Sequence, residues 1–424
     1  MLVYTEKISE RIRYSFETVL RERLGIAFSF TDDEYFFEKY DGNKINYSKK
    51  KFKKCLNILP VGLLHERGIN PAWNNTYCND EEPTLPSAYP EDIFSAIFYH
   101  LSSYREYVRT ALDKHGRTLP DKCALMHKVP IVDMWIENFS MHLNQVFPDL
   151  TIKKNKYSAI STIDVDTAYA FSNKHWAIAL GGYLKSLLNL DIETIKLRTS
   201  VLMDNEKDPY DTFEYLQNVH NCMDIQSIFF FLLADYGRHD RNICWKNKNY
   251  RKLIKEISSQ SEVGIHLSYH SVDDMDRMKK EIFRLESILE KPVRKSRQHY
   301  LRLRLPITYR YLEALGIEED YSMGYPTEDC FRTATSFPYY FYDLDQEKKL
   351  NVKIHPISYM EITYQHYKKL SPEQALICIR QKINIVKKYN GSLVSLWHNE
   401  SVSEYKHWKG WRKVFEEAMN NMMK

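Results

Sequence analysis

The chain has no C-x-x-C pair, no internal repeat, no low-complexity tract and no apolar run longer than residues 228–234. Seven apolar residues cannot cross a bilayer, so no membrane span is expected. Glu6, Lys7, Glu10 and Arg11 interrupt the first residues, so neither a signal-peptide core nor a membrane anchor is expected there. The cysteines number seven, an odd count without zinc-knuckle spacing, which predicts reduced thiols and a cytoplasmic location. Charge of one sign is also lacking: 60 Lys+Arg against 56 Asp+Glu leaves +4, too little for a polynucleotide-binding surface. Glycine is scarce at 13, whereas tyrosine reaches 31 and phenylalanine 20. Such rings pack cores and interfaces, and they also stack on sugars.

With 43% apolar and 27% charged residues the composition is globular, which excludes disorder and a coiled-coil rod. Its 424 residues suffice for two domains. Residues 1–150 read as a smaller α/β unit. Val3 and Tyr4 open a strand, and Ile12, Phe16, Val19 and Leu20 recur at helical spacing. Residues 26–30 and 44–47 bracket Asp41-Gly42, a hairpin signal. The lysines of 49–54 read as a solvated face, and 71–90 as a long surface loop. Ile93, Ile97, Leu101 and Tyr104 form one helical stripe, and Val132, Ile136, Phe139 and Leu143 a second. Between them, Lys114-His115-Gly116-Arg117 reads as an ordinary connection.

From about residue 151 the pattern changes to short apolar strands separated by helices. Strands are expected at 157–163, 228–233 and 263–265, and a helix at 272–291 with Met275, Met278, Ile282, Leu285 and Leu289 on its apolar stripe. Alternating strands and helices predict a parallel α/β architecture, whose functional side chains gather at the C-terminal strand ends. At such an end stands TIDVD, residues 162–166. Strand alternation places Asp164 and Asp166 on one side, and two adjacent carboxylates call for a cation or a shared proton. The strand at 263–265 runs into HLSYH, residues 266–270. A helical turn there would bring His266 and His270 onto one face, and with an aspartate they make a His/His/carboxylate metal set. Arg297, in RQHY (297–300), can hold a carboxylate ionised. His398 follows a strand-like run at 392–396 and is placed for a general acid.

In this order, strand-DxD, strand-HxxxH, RxxY and strand-LxH, the motifs TIDVD, HLSYH, RQHY and LWH (396–398) resemble the polysaccharide deacetylase family, which includes chitooligosaccharide and peptidoglycan deacetylases. SIFFFLL at 227–233 is similar to the strand that the family carries between its first two motifs. The resemblance covers about 155–400 and is to bacterial members with an additional N-terminal domain. It implies a distorted (β/α) barrel over 151–424, preceded by a domain of unknown role over 1–150. It also implies a divalent metal, zinc, held by Asp166, His266 and His270, with Asp164 as base and His398 as acid. Arg297 would orient Asp164, and the backbone N–H of Tyr300 would serve the oxyanion. The implied activity is removal of acetyl groups from an N-acetylated sugar or polysaccharide. Two departures stand out. Val165 separates the aspartates, leaving open which is base and which ligand, and Gln298 and His299 replace the usual prolines. Two other readings are a catalytically silent glycan-binding or scaffold protein and a hydrolase of a non-sugar amide or cyclic imide. Tyr325 and Arg332, in an aromatic stretch, are assigned to the substrate groove, Arg332 for an anionic substituent.

Overall fold

The computed structural model describes residues 1–77, 89–108 and 111–423. Two sheets organise the chain. Near the N-terminus, strands β1 (Leu2–Tyr4), β2 (Ser29–Thr31), β3 (Lys44–Tyr47) and β4 (Leu56–Ile58) lie in the order β2-β1-β3-β4. All three pairings are parallel, with Leu2 opposite both Ser29 and Lys44. The hairpin expected around Asp41-Gly42 is therefore absent. Parallel strands need crossover connections, and the helix Glu34–Lys39, capped by the Asp33 carboxylate, carries the chain from β2 to β3 on the other side of β1.

The helix Ile93–Leu101 starts at Asp92, whose side chain accepts from the Ser95 N–H, and all nine of its residues are buried. It is a core helix rather than a surface one, whereas Ile131–Val146 keeps a buried stripe through Val132, Ile136, Phe139 and Leu143. Of the loop expected at 71–90, Ala72–Tyr77 is helical and residues 78–88 lie outside the described residues.

The second sheet has nine strands: β5 (Ser158–Val165), β6 (Gln226–Leu232), β7 (Glu262–Leu267), β8 (Lys295–Gln298), β9 (Glu319–Asp320), β10 (Tyr339–Asp343), β11 (Lys348–Ile354), β12 (Tyr359–Met360) and β13 (Ser392–His398). Their order is β10-β11-β9-β8-β7-β6-β5-β13-β12, parallel throughout except β10 against β11. The α/β class and the parallel sheet agree with the sequence. Among the described residues no pairing joins β10 to β12, so the sheet is not a closed barrel. Strands β5, β6 and β13 bury apolar side chains on both faces: Ile160, Ile228, Phe230 and Val394 cluster with Tyr321 on one, and helices pack against the other. One such helix, Met275–Leu289, is capped by Asp274 and buries Met278, Ile282, Leu285 and Ile288. Gly264 lets β6, β7 and β8 close up, since a Cβ there would stand 2.9 Å from the Lys295 carbonyl and overlap the Phe230 ring.

One hydrophobic core runs from Val3 in β1 through Phe94 and Phe139 to Phe331 and Trp397. Polar ties cross it too. Arg11 donates to Glu347 through Nε at 2.9 Å and Nη2 at 2.5 Å, and the Tyr14 hydroxyl donates to the Tyr340 carbonyl at 2.8 Å. Cys123 is disulfide-bonded, against the expectation of reduced thiols throughout. No helix among the described residues is long and apolar enough to cross a membrane.

Candidate metal centre and active site

Register decides which side chains meet at the C-terminal ends of the strands. His398 pairs with Asp164 across β13 and β5, Leu232 with His266 across β6 and β7, and His266 with Arg297 across β7 and β8. Asp164, Asp166, His266, His299, Tyr300 and His398 line a cavity of about 420 Å³, and Arg297 reaches it through its contact with Asp164. Asp164 and Asp166 both line this space, on one side of the strand end as alternation requires.

Arg297 is fully buried, donates from Nη1 to Asp164 Oδ1 at 2.7 Å and from Nε to the Tyr321 carbonyl at 2.8 Å, and lies over the Phe230 ring. A guanidinium so fixed holds Asp164 in one orientation and leaves Oδ2 facing His266 Nε2 at 3.5 Å.

Asp166, His266 and His299 bring their ligating atoms within 4.8 Å of one another. His266 Nδ1 faces the Arg297 carbonyl at 3.0 Å, an acceptor only, so this nitrogen carries the hydrogen. The Nε2 lone pair is thereby aimed at Asp166 Oδ1, 3.1 Å away. His299 repeats the pattern, with Nδ1 2.8 Å from Asp240 Oδ1 and Nε2 3.1 Å from Asp166 Oδ2. Asp240 is itself held by the Tyr269 N–H at 2.9 Å. Carboxylate and carbonyl partners behind the imidazoles are the arrangement that orients metal-bound histidines. Asp166 Oδ1 is buried and has no hydrogen-bond donor. Lone pairs facing a carboxylate repel unless a proton or a cation lies between them, so the donor set fits a divalent ion. Burial opposes charge on His299, yet Asp166 and Asp240 push it up to about 9. Desolvation likewise opposes charge on Asp166, but His299 and His266 hold its carboxyl well below the usual range.

His270 does not belong to this group. Residue 266 is still in β7, which ends at Leu267, so no helical turn brings position 270 back; its ring is exposed and faces His239 at 6.2 Å. His299 stands in its place, contributed by the motif that the sequence reading used only for Arg297 and Tyr300. Tyr300 has φ 62° and Leu301 φ 54°, a left-handed pair that costs backbone energy and turns the chain along the cavity wall.

His398 is buried and presents Nδ1 to Glu361 Oε1 at 2.8 Å. Burial works against its charge, but Glu361 and the two aspartates push it up to about 10, so the ring carries a proton at neutral pH. Nε2 points toward Asp166 Oδ2 at 3.9 Å. Glu361 has no sequence signal that marks it; β12 brings it there.

Two assigned groove residues lie elsewhere. Arg332 is 4% exposed and clamps Glu106 through Nε at 2.8 Å and Nη2 at 2.7 Å. Tyr325 is 3% exposed and accepts from Arg105 at 2.9 Å. Neither lines the site cavity, because both pack against residues 104–106 of the N-terminal unit. Conversely, the supposedly ordinary connection at 114–117 reaches the site. Arg117 is buried, lines the cavity, donates to the Tyr300 carbonyl at 3.4 Å and the Tyr367 hydroxyl at 3.1 Å, and is steadied by Asp113 at 2.7 Å.

Residues 1–148 match a family of unknown function, DUF7033. No curated protein matches the chain. Among solved structures, a Mycobacterium smegmatis protein assigned as a polysaccharide deacetylase is 15% identical with a TM-score of 0.42, over 65% of this chain and 86% of that one. A CE4-family pseudoenzyme from Bacillus anthracis is 15% identical with a TM-score of 0.32, over 62% of both chains, so this chain spans under two thirds of it. A polysaccharide deacetylase from Bacillus cereus is 12% identical with a TM-score of 0.32, over 62% and 88%.

Proposed function

We propose that the protein is a metal-dependent hydrolase that removes acetyl groups from an N-acetylated sugar or polysaccharide. The observation that carries this reading is the set Asp166, His266 and His299, each imidazole backed by an acceptor, beside a separate Asp164–Arg297 pair and His398 held against Glu361. Asp166, His266 and His299 are the residues that would hold zinc. A bound divalent cation supplies Lewis acidity that polarises the acetamido carbonyl and acidifies water.

In this scheme Asp164 is the base, because Arg297 engages Oδ1 and Oδ2 is left to take the proton of the attacking water. The water oxygen bonds to the acetyl carbon, and the Tyr300 N–H is the assigned donor to the oxyanion. The C–N bond then breaks, His398 Nε2 gives its proton to the departing amine, and acetate and a free amino sugar leave. Glu361 compensates the charge that His398 carries beforehand.

Metal titration of the 424-residue chain separates the two candidate third ligands. His299→Ala is expected to weaken zinc about tenfold to 100-fold or more, and His270→Ala to leave it within a factor of about two. The reverse order would overturn the centre described here. Acetate release from chitooligosaccharides and other N- and O-acetylated glycans tests the activity. Asp164→Asn and His398→Ala are each expected to lower it by about 10² to 10⁴-fold. Zinc binding without acetate from any glycan would instead support the silent glycan-binding reading.

A further inference from the structure

A second cavity, of about 770 Å³, adjoins the first and shares Thr167, Arg241 and Glu400 with it. It lies between the helices Trp176–Leu188 and Ile192–Leu202 and the loops that follow β6 and β13. Its lining is cationic: Lys174, Lys185, Arg198, Arg241 and Lys246 all face it. Two of the carboxylates that also line it are already engaged, Asp191 with Lys406 at 2.8 Å and Asp235 with Lys280 at 2.8 Å and Arg284 at 2.5 Å. The third, Glu400, stands at the junction with the metal centre.

Arg198 is the decisive member. It is 9% exposed, its Nε has no hydrogen-bond partner, and it forms no ion pair among the described residues. Its guanidinium is held over the rings of Phe171 at 4.8 Å and Tyr183 at 5.2 Å. Gly182 makes room for it, since a Cβ at this position would overlap the guanidinium. Lys174 stands in the same space, and burial lowers its pKa, with Asp208 opposing and Arg198 assisting. Its Nε is buried without an acceptor and no carboxylate among the described residues neutralises the Arg198 guanidinium, so the group offers its charge to an anion in the cavity. Aromatic rings beside it suit a sugar, and the planar fork suits a carboxylate or phosphate.

We propose that this cavity is a subsite for an anionic substituent, carboxylate or phosphate, on the glycan whose acetamido group reaches the metal centre. The inference rests on the glycan reading above and deepens it: the substrate is an acidic glycan, bound with its charged unit on Arg198 and its acetylated unit over Asp166.

Calorimetric titration of the chelator-treated 424-residue chain with inorganic phosphate and with glucuronate tests it without turnover. At least one anion is expected to bind, and Arg198→Gln to weaken it by about tenfold or more. Gly182→Ala, which keeps the arginine but displaces its guanidinium, should weaken the same anion while leaving the thermal midpoint at or above that of the wild type. Should neither anion bind more tightly than about 10 mM, or should both variants bind it as the wild type does, the subsite is overturned. Which anion binds identifies the substituent. Anion binding through Arg198 in a protein that releases no acetate would leave the subsite standing and remove only the deacetylase reading.

Discussion

His220 shows what burial does to a single group. It packs against Phe229 and Phe415, with Nε2 2.9 Å from Ser161 Oγ, and burial pushes its ring down from 6.5 to about 4. Folded protein keeps it neutral, while the unfolded chain takes up a proton below its ordinary value. Stability is therefore complete above about pH 6.5 and falls as pH drops toward 4, by about 3 kcal/mol for this one residue. Urea midpoints at pH 5 and pH 7 should differ less in His220→Gln than in the wild type; an unchanged difference would clear His220 of the effect. The candidate site shows the same dependence on surroundings. The residue types at 164, 166, 266 and 398 announce acid-base and metal chemistry by themselves. His299 does not, because its role comes from Asp240 and Asp166 on either side of its ring.

At the scale of elements, β8 explains why His299 escapes a sequence reading. Its four residues, KSRQ, carry no apolar pattern, yet the last three are fully buried. Most of their polar groups find partners, Ser296 with Asp320 at 2.9 Å, Arg297 with Asp164, and the Gln298 N–H with Ser322 Oγ at 2.8 Å, while Arg297 Nη2 and Gln298 Nε2 have none among the described residues. Apolar strands such as β6 are legible from periodicity; a strand whose burial is compensated by hydrogen bonds is not. The tight β6-β7-β8 spacing carries its own expectation. Gly264→Val must push aside the Phe230 ring and the Lys295 carbonyl, so it should cost about 1–3 kcal/mol or more by overpacking and move β7 relative to β8. A lower urea midpoint together with weaker zinc binding is the expected pair of readings. Loss of stability with intact metal affinity would mean that the His266 and Arg297 register does not depend on this approach.

For the whole molecule, the N-terminal unit and the nine-stranded sheet are joined by charges as well as by apolar contact. Glu106 and Arg332 are both buried, and Asp133 accepts from the Thr335 hydroxyl at 2.5 Å and from the Ser336 N–H. Replacing one partner of such a pair strands the other. Glu106→Gln should therefore destabilise the protein by about 3–5 kcal/mol, whereas an exposed pair such as Lys252 with Glu256 should matter by less than about 1 kcal/mol. Because the core is continuous, wild-type unfolding should be a single transition by both tryptophan fluorescence and circular dichroism. Two resolved transitions, with only the first shifted by Glu106→Gln, would show that the units unfold separately. The same docking delivers Arg117 to the cavity wall, so the N-terminal unit takes part in shaping the site.

Local sequence determined what short-range geometry can specify. Strand alternation sets Asp164 beside Asp166, Asp92 and Asp274 begin their helices, and apolar runs define β6 and β7. Arg297 beside Asp164 and His266 beside Asp166 are what the family resemblance implies; tertiary structure decided the other groups around them. Arg297 and His299 each lie 133 residues from the carboxylate they meet, and Arg117, Glu361 and Arg198 arrive from other elements. Pairing register and helix docking bring such groups together through hydrogen bonds and packing between distant segments, and residue spacing along the chain carries no record of them.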